Sequence, residues 1–171
     1  MEVIKVIRDA DVGESFPIPS DYTKRVTVRA VVFDSQGKIA LLHSAKGGYH
    51  TIPGGGIETN ESLEEALRRE VKEEVGCSIN DIRELGVIEE YRNEQGRHQI
   101  SYGFMVNLDG DKGESNFDEL EIAEGFVCAW ITLEDAIETF QNDSNHTTHK
   151  GKFICLRDLT FLREAQRILK S

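Results

Sequence analysis

Long hydrophobic runs are missing from this 171-residue chain: the most apolar stretches lie around Val26–Phe33 and Ile39–Leu42. Both fall far short of the roughly 20 residues that a membrane-spanning helix needs. The N-terminal MEVIKVIRDAD interrupts any apolar core with charge within a few residues, so no secretory leader is expected and the cytoplasm is the default location. Cysteine is scarce as well. Cys77, Cys128 and Cys155 are odd in number, widely separated and without a C-x-x-C pair. That argues against a disulfide framework or a zinc site and for three reduced, mostly buried thiols. Basic charge is the third shortage: 20 Lys and Arg face 31 Asp and Glu, a net charge of −11. So negative a surface repels nucleic-acid backbones and anionic membranes, so no nucleic-acid polymer or membrane is expected as a partner. A small phosphorylated ligand stays open, because a metal and a few local Arg or Lys residues reverse the field within a cleft.

Repeats and low-complexity tracts are also absent. The length fits one domain over 1–171, with an N-terminal strand and loop over 1–24 and a C-terminal helix over 152–170. Glu2–Ile7 alternates like a short strand, and Gly13–Asp21, with Pro17 and Pro19, reads as a loop. Arg25–Asp34 and Lys38–His43, joined by the turn Ser35-Gln36-Gly37, predict a hairpin with a buried face. Tyr49–Ile52 is a short strand that ends in Pro53-Gly54-Gly55-Gly56. Ile82–Tyr91 and His98–Leu108 read as strands, Asp109–Glu124 as an acidic connection, and Gly125–Ile131 as a strand. Leu133–Phe140 is expected to be a helix capped by Thr132, and Asn142–Gly151 a polar loop before the last helix. On that last helix Phe153, Leu156, Leu159, Leu162 and Ile168 fall on the inner side. Strands and helices interspersed in this order indicate a mixed α/β or α+β sandwich.

The densest chemistry lies in GGIETNESLEEALRREVKEEVGC, residues 55–77. Ser62 and Glu65 form a capping box, Leu63, Leu67, Val71 and Val75 an apolar stripe, and Gly76 a left-handed stop. Glu70, Glu73 and Glu74 stand at i, i+3 and i+4, which brings three carboxylates to one patch beside that stripe. A solvated face salted with Arg68, Arg69 and Lys72 is the plain alternative. A patch at the edge of the buried face suits the floor of a cleft better. There the repulsion is offset by a hard divalent cation such as Mg²⁺, which takes oxygen ligands.

The complete pattern is Gly55, five residues, Glu61, seven residues, Arg69-Glu70-Val71, one residue, Glu73-Glu74, one residue, Gly76-Cys77. It resembles the box that marks the Nudix hydrolases, which split nucleoside diphosphates linked to another moiety, X. Cys77 is the one departure, standing where that family usually has Ile, Leu or Val. The resemblance implies an α/β/α sandwich with a central mixed β-sheet, a small-molecule nucleotide substrate, and compatibility with a homodimer. It implies that the Gly55 carbonyl and the carboxylates of Glu70, Glu73 and Glu74 hold Mg²⁺, with Mn²⁺ as a substitute. Arg69 would orient the glutamates, with Glu65 and Glu73 as its helical neighbours, and Glu61 would support the loop. Gly54, Gly55 and Gly56 let the backbone approach phosphate closely. The general base is either Glu70 or an acid preceding the Trp130 strand. Glu119, Glu121 and Glu124 are the candidates, with Glu121 ranked first.

Other residues carry weaker signals. Arg29 and Lys46 are phosphate-contact candidates, and Arg92, Arg97, His98, Gln99 and Tyr102 surround a hairpin within reach of substrate. Tyr49, Phe104 and Phe126 are candidates for stacking on a base, against the commoner role of strand aromatics in a core. Asp109–Gly113 hints at a calcium loop but has Glu114 and Leu120 at the sixth and twelfth positions, so that pattern fails. His146 and His149 read as exposed loop histidines. Two rivals share the resemblance: a catalytically idle, nucleotide-sensing regulatory module, and an isoprenoid-diphosphate isomerase that would need Cys128 or His98 near the metal.

Overall fold

The computed structural model describes residues 1–143 and 148–171. Seven strands form one mixed sheet: β1 (Val3–Arg8), β2 (Thr23–Phe33), β3 (Lys38–Ser44), β4 (Tyr49–Thr51), β5 (Ser78–Arg92), β6 (Arg97–Asp109) and β7 (Phe126–Thr132). Their order is β1-β5-β6-β2-β3-β4, and β7 pairs with β3. β1 with β5 and β2 with β6 are parallel, and the remaining pairs are antiparallel. Among the described residues, four α-helices complete the fold, α1 (Leu63–Val75), α2 (Glu119–Glu124), α3 (Leu133–Asn142) and α4 (His149–Lys170), beside short 3-10 turns at Asp9–Val12 and Asn93–Gln95. A sheet between α1 on one side and α3 with α4 on the other is the expected α/β/α sandwich.

Period-two alternation along β2 divides the core in two. Val28, Ala30 and Val32 pack with Ala66, Leu67, Val71 and Val75 of α1. Val31 and Phe33 pack on the opposite face with Phe140 of α3 and Phe153, Phe161 and Leu162 of α4. Each fully buried side chain of this size contributes roughly 1.5–3 kcal/mol relative to exposure. α1 starts at Ser62, whose hydroxyl accepts from the Glu65 amide while the Glu65 carboxylate accepts from the Ser62 amide, and it stops at left-handed Gly76. α3 and α4 have simpler caps, in which the Thr132 hydroxyl accepts from the Asp135 amide and the Thr148 hydroxyl from the Gly151 amide.

Three features depart from the sequence reading. The β2–β3 hairpin is paired only at Phe33 and Ile39 and then splays, and the edge of β2 so opened bonds instead to the Pro53 and Gly55 carbonyls. The acidic connection contains the six-residue helix α2, capped by Asp118. α4 begins at His149, three residues before the expected start, and His149 is buried instead of exposed. Its Nε2 lies 2.9 Å from Asp9 Oδ1, and Phe16 meets its ring edge-on. Lys152 pairs with Glu14, so the N-terminal segment is fastened to the start of α4. His146 lies outside the described residues. Cys77 and Cys155 are buried and Cys128 is half-buried, all three as free thiols. No helix among the described residues is long and apolar enough to cross a membrane.

Candidate functional site

The opening between β2 and β3 is closed by the Pro53–Gly56 segment, which takes the place of a paired strand. The Ala30 amide donates to the Pro53 carbonyl at 2.8 Å, and the Val28 amide donates to the Gly55 carbonyl at 3.0 Å. Gly54 sits at φ +134°, and a Cβ there would run into the Val28 carbonyl oxygen. A Cβ on Gly55 would lie 2.5 Å from Glu70 Oε1. Both glycines are therefore required for the helix carboxylates to reach the loop. The Gly54 amide donates to Glu74 Oε2 at 2.6 Å, and its carbonyl accepts from Arg29 Nη1 at 2.6 Å.

Arg69 ties this assembly together. Its Nε and Nη2 form a two-pronged pair with Glu61 at 2.8 and 2.9 Å, Nη2 also donates to the Gly56 carbonyl, and Nη1 donates to Glu70 Oε1 at 2.7 Å. Hydrogen bonding from Arg69 holds the Glu61 carboxyl below its ordinary range. Glu65, expected beside Arg69, is occupied instead by the capping box. Glu73 reaches Arg69 only at 3.5 Å and its side chain is 48% exposed. At about 100° per residue it points well away from Glu74.

Glu70 and Glu74, with the three glycines, line a cleft of about 450 Å³. Burial pushes both carboxyls up in pKa, Glu74 strongly, and the neighbouring negative charges of Glu70 and Glu121 push Glu74 further. Glu121 and Glu124 of α2 face the same cleft, whereas Glu119 does not line it. Glu121 Oε2 accepts from the Asp118 amide at 2.8 Å, and Glu124 Oε2 accepts from Tyr49 Oη at 3.2 Å. A buried Glu74 and a half-buried Glu70, mutually repelling and set against a glycine turn, form a hard-oxygen donor set suited to a divalent cation. Among the described residues no group of three or more His, Cys, Asp or Glu side chains is gathered as a ready-made metal cage. The expected convergence of Glu70, Glu73 and Glu74 is thus reduced to Glu70 and Glu74, with Glu73 outside the cleft.

Of the phosphate-contact candidates, Arg29 lines the cleft, and burial pushes its guanidinium down to about 10. Lys46 is exposed on the β3–β4 turn and does not line it. Of the hairpin residues, Arg92, Arg97 and Gln99 line the cleft. His98 instead stacks on Tyr91 with ring centres 4.3 Å apart and bonds Glu89. Tyr49 and Phe126 also line the cleft, while Phe104 is buried under α1. Arg25, Lys150 and Arg157 were not expected in the cleft. Arg25 follows from the same-face spacing with Arg29 on β2, a signal present in the sequence. The two α4 residues depend on how that helix crosses the sheet.

Comparison with known proteins gives the family and the fold. A model of the NUDIX domain matches residues 23–155, and the chain belongs to that family. "Nudix hydrolase 4" of Arabidopsis thaliana is 32% identical over 61% of this chain and 48% of its own length. The chain thus spans about half of that relative. "Nucleoside triphosphatase NudI" of Escherichia coli is 34% identical over 61% of this chain and 77% of its own length. Among solved structures, a NUDIX hydrolase from Nitrosomonas europaea has the same fold, with a TM-score of 0.59 and 24% identity over 80% of this chain and 88% of its own.

Proposed function

We propose that the cleft hydrolyses the diphosphate of a nucleoside diphosphate linked to a second group, X, releasing a nucleoside monophosphate and phosphorylated X. The observation that carries this reading is the pair Glu70 and Glu74 packed against a turn in which Gly54 and Gly55 leave no room for a Cβ, with Arg29 on the other side of the same turn. Glu70, Glu74 and the Gly55 carbonyl are assigned as holders of Mg²⁺, or of Mn²⁺ in its place; Glu73, turned to Arg69 and solvent, would join them by rotating its side chain into the cleft. When bound, such a cation neutralises the diphosphate and lowers the pKa of water.

The chain's own groups do the rest. Glu121, with Oε2 committed to the Asp118 amide, uses Oε1 to take the proton of the attacking water. Arg29 faces the negative charge of the phosphates, and Arg69 keeps the Glu70 carboxylate turned toward the cleft. Tyr49 and Phe126 provide apolar surface for the nucleoside. A cytoplasmic location and a homodimer belong to the same reading and are checked by fractionation and sedimentation.

The test is Mg²⁺-dependent release of nucleoside monophosphate from a broad panel of nucleoside diphosphates linked to X, in the wild type and in Glu73→Gln, Glu74→Gln and Glu121→Gln. A large loss of kcat in Glu74→Gln and Glu121→Gln is expected. No turnover on any substrate, or turnover indifferent to all three changes, would sink the proposal.

A further inference from the structure

Helix α2 carries the base Glu121, yet nothing in its own packing fixes where that carboxylate stands. It is six residues long and has no buried residue, and Leu120 and Ile122 are exposed. A helix this short is marginal by itself. Its two ends are what hold it. At the rear, the Ala45 and Lys46 amides donate to the Gly125 and Glu124 carbonyls at 3.3 and 3.0 Å, and the Glu124 carboxylate accepts from the Ser44 and Tyr49 hydroxyls. The front is held by α1, the helix that bears Glu70 and Glu74.

The last carbonyls of an α-helix have no partner within it. In α1, the Ser115 hydroxyl donates to the Glu74 carbonyl and the Asn116 amide donates to the Glu73 carbonyl, each at 2.6 Å. Two glycines permit this approach. A Cβ on Gly76 would strike the Glu114 backbone, and one on Gly113 would strike the Gly76 carbonyl oxygen. Upstream, Lys112 Nζ lies 2.5 Å from Asp34 Oδ2 and 4.2 Å from the centre of the Trp130 ring, so the segment is already anchored when it reaches α1. Capping α1 would explain the contact if its effect ended there, but it is passed on. Two residues beyond Asn116, the Asp118 amide donates to Glu121 Oε2 and the Asp118 carboxylate accepts from the Glu121 amide. The Glu121 carboxylate is thus locked to the first turn of α2, and that turn follows the backbone at Ser115 and Asn116. Glu74 stands at both ends of this connection. Its side chain accepts from the Gly54 amide, its carbonyl accepts from Ser115, and its negative charge is near enough to Glu121 for the two to repel.

We propose that Ser115 is a positioning residue for the hydrolysis: its bond to the Glu74 carbonyl sets where Glu121 stands relative to the Glu74 carboxylate. The inference rests on the hydrolytic reading and on Glu121 as its base. Ser115 does not line the cleft, so it touches no substrate and acts only through Glu121. Its loss leaves the substrate contacts in place and lowers the fraction of complexes in which Glu121 reaches the attacking water. That is an effect on kcat and not on KM.

The experiment measures kcat and KM for Ser115→Ala, Ser115→Thr, Glu121→Gln and the Ser115→Ala/Glu121→Gln pair on the nucleotide that the wild type turns over best, with enzyme in excess for the slow variants. In parallel, hydrogen exchange in EDTA reads the amides of residues 116–125 in the wild type and in Ser115→Ala. The expected result for Ser115→Ala is a kcat lower by about ten- to hundredfold with KM within about twofold of the wild type. Ser115→Thr, which keeps the hydroxyl, should recover most of that loss, and Ser115→Ala should add no further loss to Glu121→Gln. The amides of 116–125 should exchange about three- to tenfold faster in Ser115→Ala, the worth of one hydrogen bond. An unchanged kcat in Ser115→Ala, or an equal further loss in the Glu121→Gln background, overturns the proposal. If the wild type hydrolyses no nucleotide, the hydrolytic reading fails and exchange alone decides on the tether: faster exchange confined to 116–125 keeps Ser115 as the group that holds α2, and unchanged exchange overturns it.

Discussion

Replacing Arg69 by Gln removes one guanidinium that makes four close hydrogen bonds to three partners: two to Glu61, one to the Gly56 carbonyl and one to Glu70. Hydrogen bonds to charged groups contribute about 1.5–3 kcal/mol each, and breaking a buried pair costs about 3–5 kcal/mol. The Arg69 side chain is 24% exposed and that of Glu61 13%, so solvent screens part of this. A net loss of about 2–3 kcal/mol follows, and with about 2–4 °C per kcal/mol for a chain of this size it lowers Tm by about 4–12 °C. The loss has a pH signature. In the native state the Glu61 carboxyl lies below its unfolded value of 4.5. Its contribution is therefore complete above that value and disappears as the pH falls through the depressed native pKa. Thermal melts followed by circular dichroism between pH 7 and pH 3 should show the gap between wild type and Arg69→Gln narrowing toward acid. A double-mutant cycle with Glu61→Gln should give a coupling of about 1–2 kcal/mol at pH 7. A Tm change below about 2 °C, or coupling near zero, would refute the assignment of Arg69 as the tie between loop and helix.

Glu74→Gln should raise the Tm of the protein in EDTA, because it removes a buried, repelled carboxylate while keeping an oxygen for the Gly54 amide. The same change should abolish stabilisation by millimolar Mg²⁺, which in the wild type reaches about 2–3 kcal/mol near a hundredfold excess over Kd; melts with and without Mg²⁺ check both signs. Gly54→Ala should cost at least about 1–3 kcal/mol in backbone strain alone and lose nearly all turnover, since its Cβ meets the Val28 carbonyl oxygen and displaces the loop; urea unfolding and the substrate assay measure the two effects.

Helix α1 was legible because every signal in it is local. The cap at Ser62, the stripe Leu67-Val71-Val75 and the stop at Gly76 depend on neighbours within one or two turns. β2 and β6 were legible as strands from their β-branched and aromatic content. Their parallel pairing was not, because it joins residues 74 apart such as Val26 and Ile100. The splay of β2 from β3 was hidden for the same reason: a turn such as Ser35-Gln36-Gly37 announces a hairpin and is silent on how far its strands stay together. In the site, spacing alone put Glu73 with Glu70 and Glu74, whereas the structure turns it toward Arg69 and solvent. Lys150 and Arg157 reach the cleft through the packing of α4 on the sheet, for which a 3.6-residue pattern carries no information. The pairing of His149 with Asp9 spans 140 residues and escaped notice in the same way.

The segment Pro53–Gly56 completes the sheet by hydrogen bonding to the free edge of β2. A substitution in this seam acts on sheet continuity and on chemistry together, so stability and turnover there cannot be tuned apart. Arg25 and Arg97 line the same cleft from β2 and β6, where strand pairing runs through the backbone and not through their side chains. A substitution at either one alters the cleft while the seam stays whole, so one side of the cleft is bound to the architecture and the other is open to change.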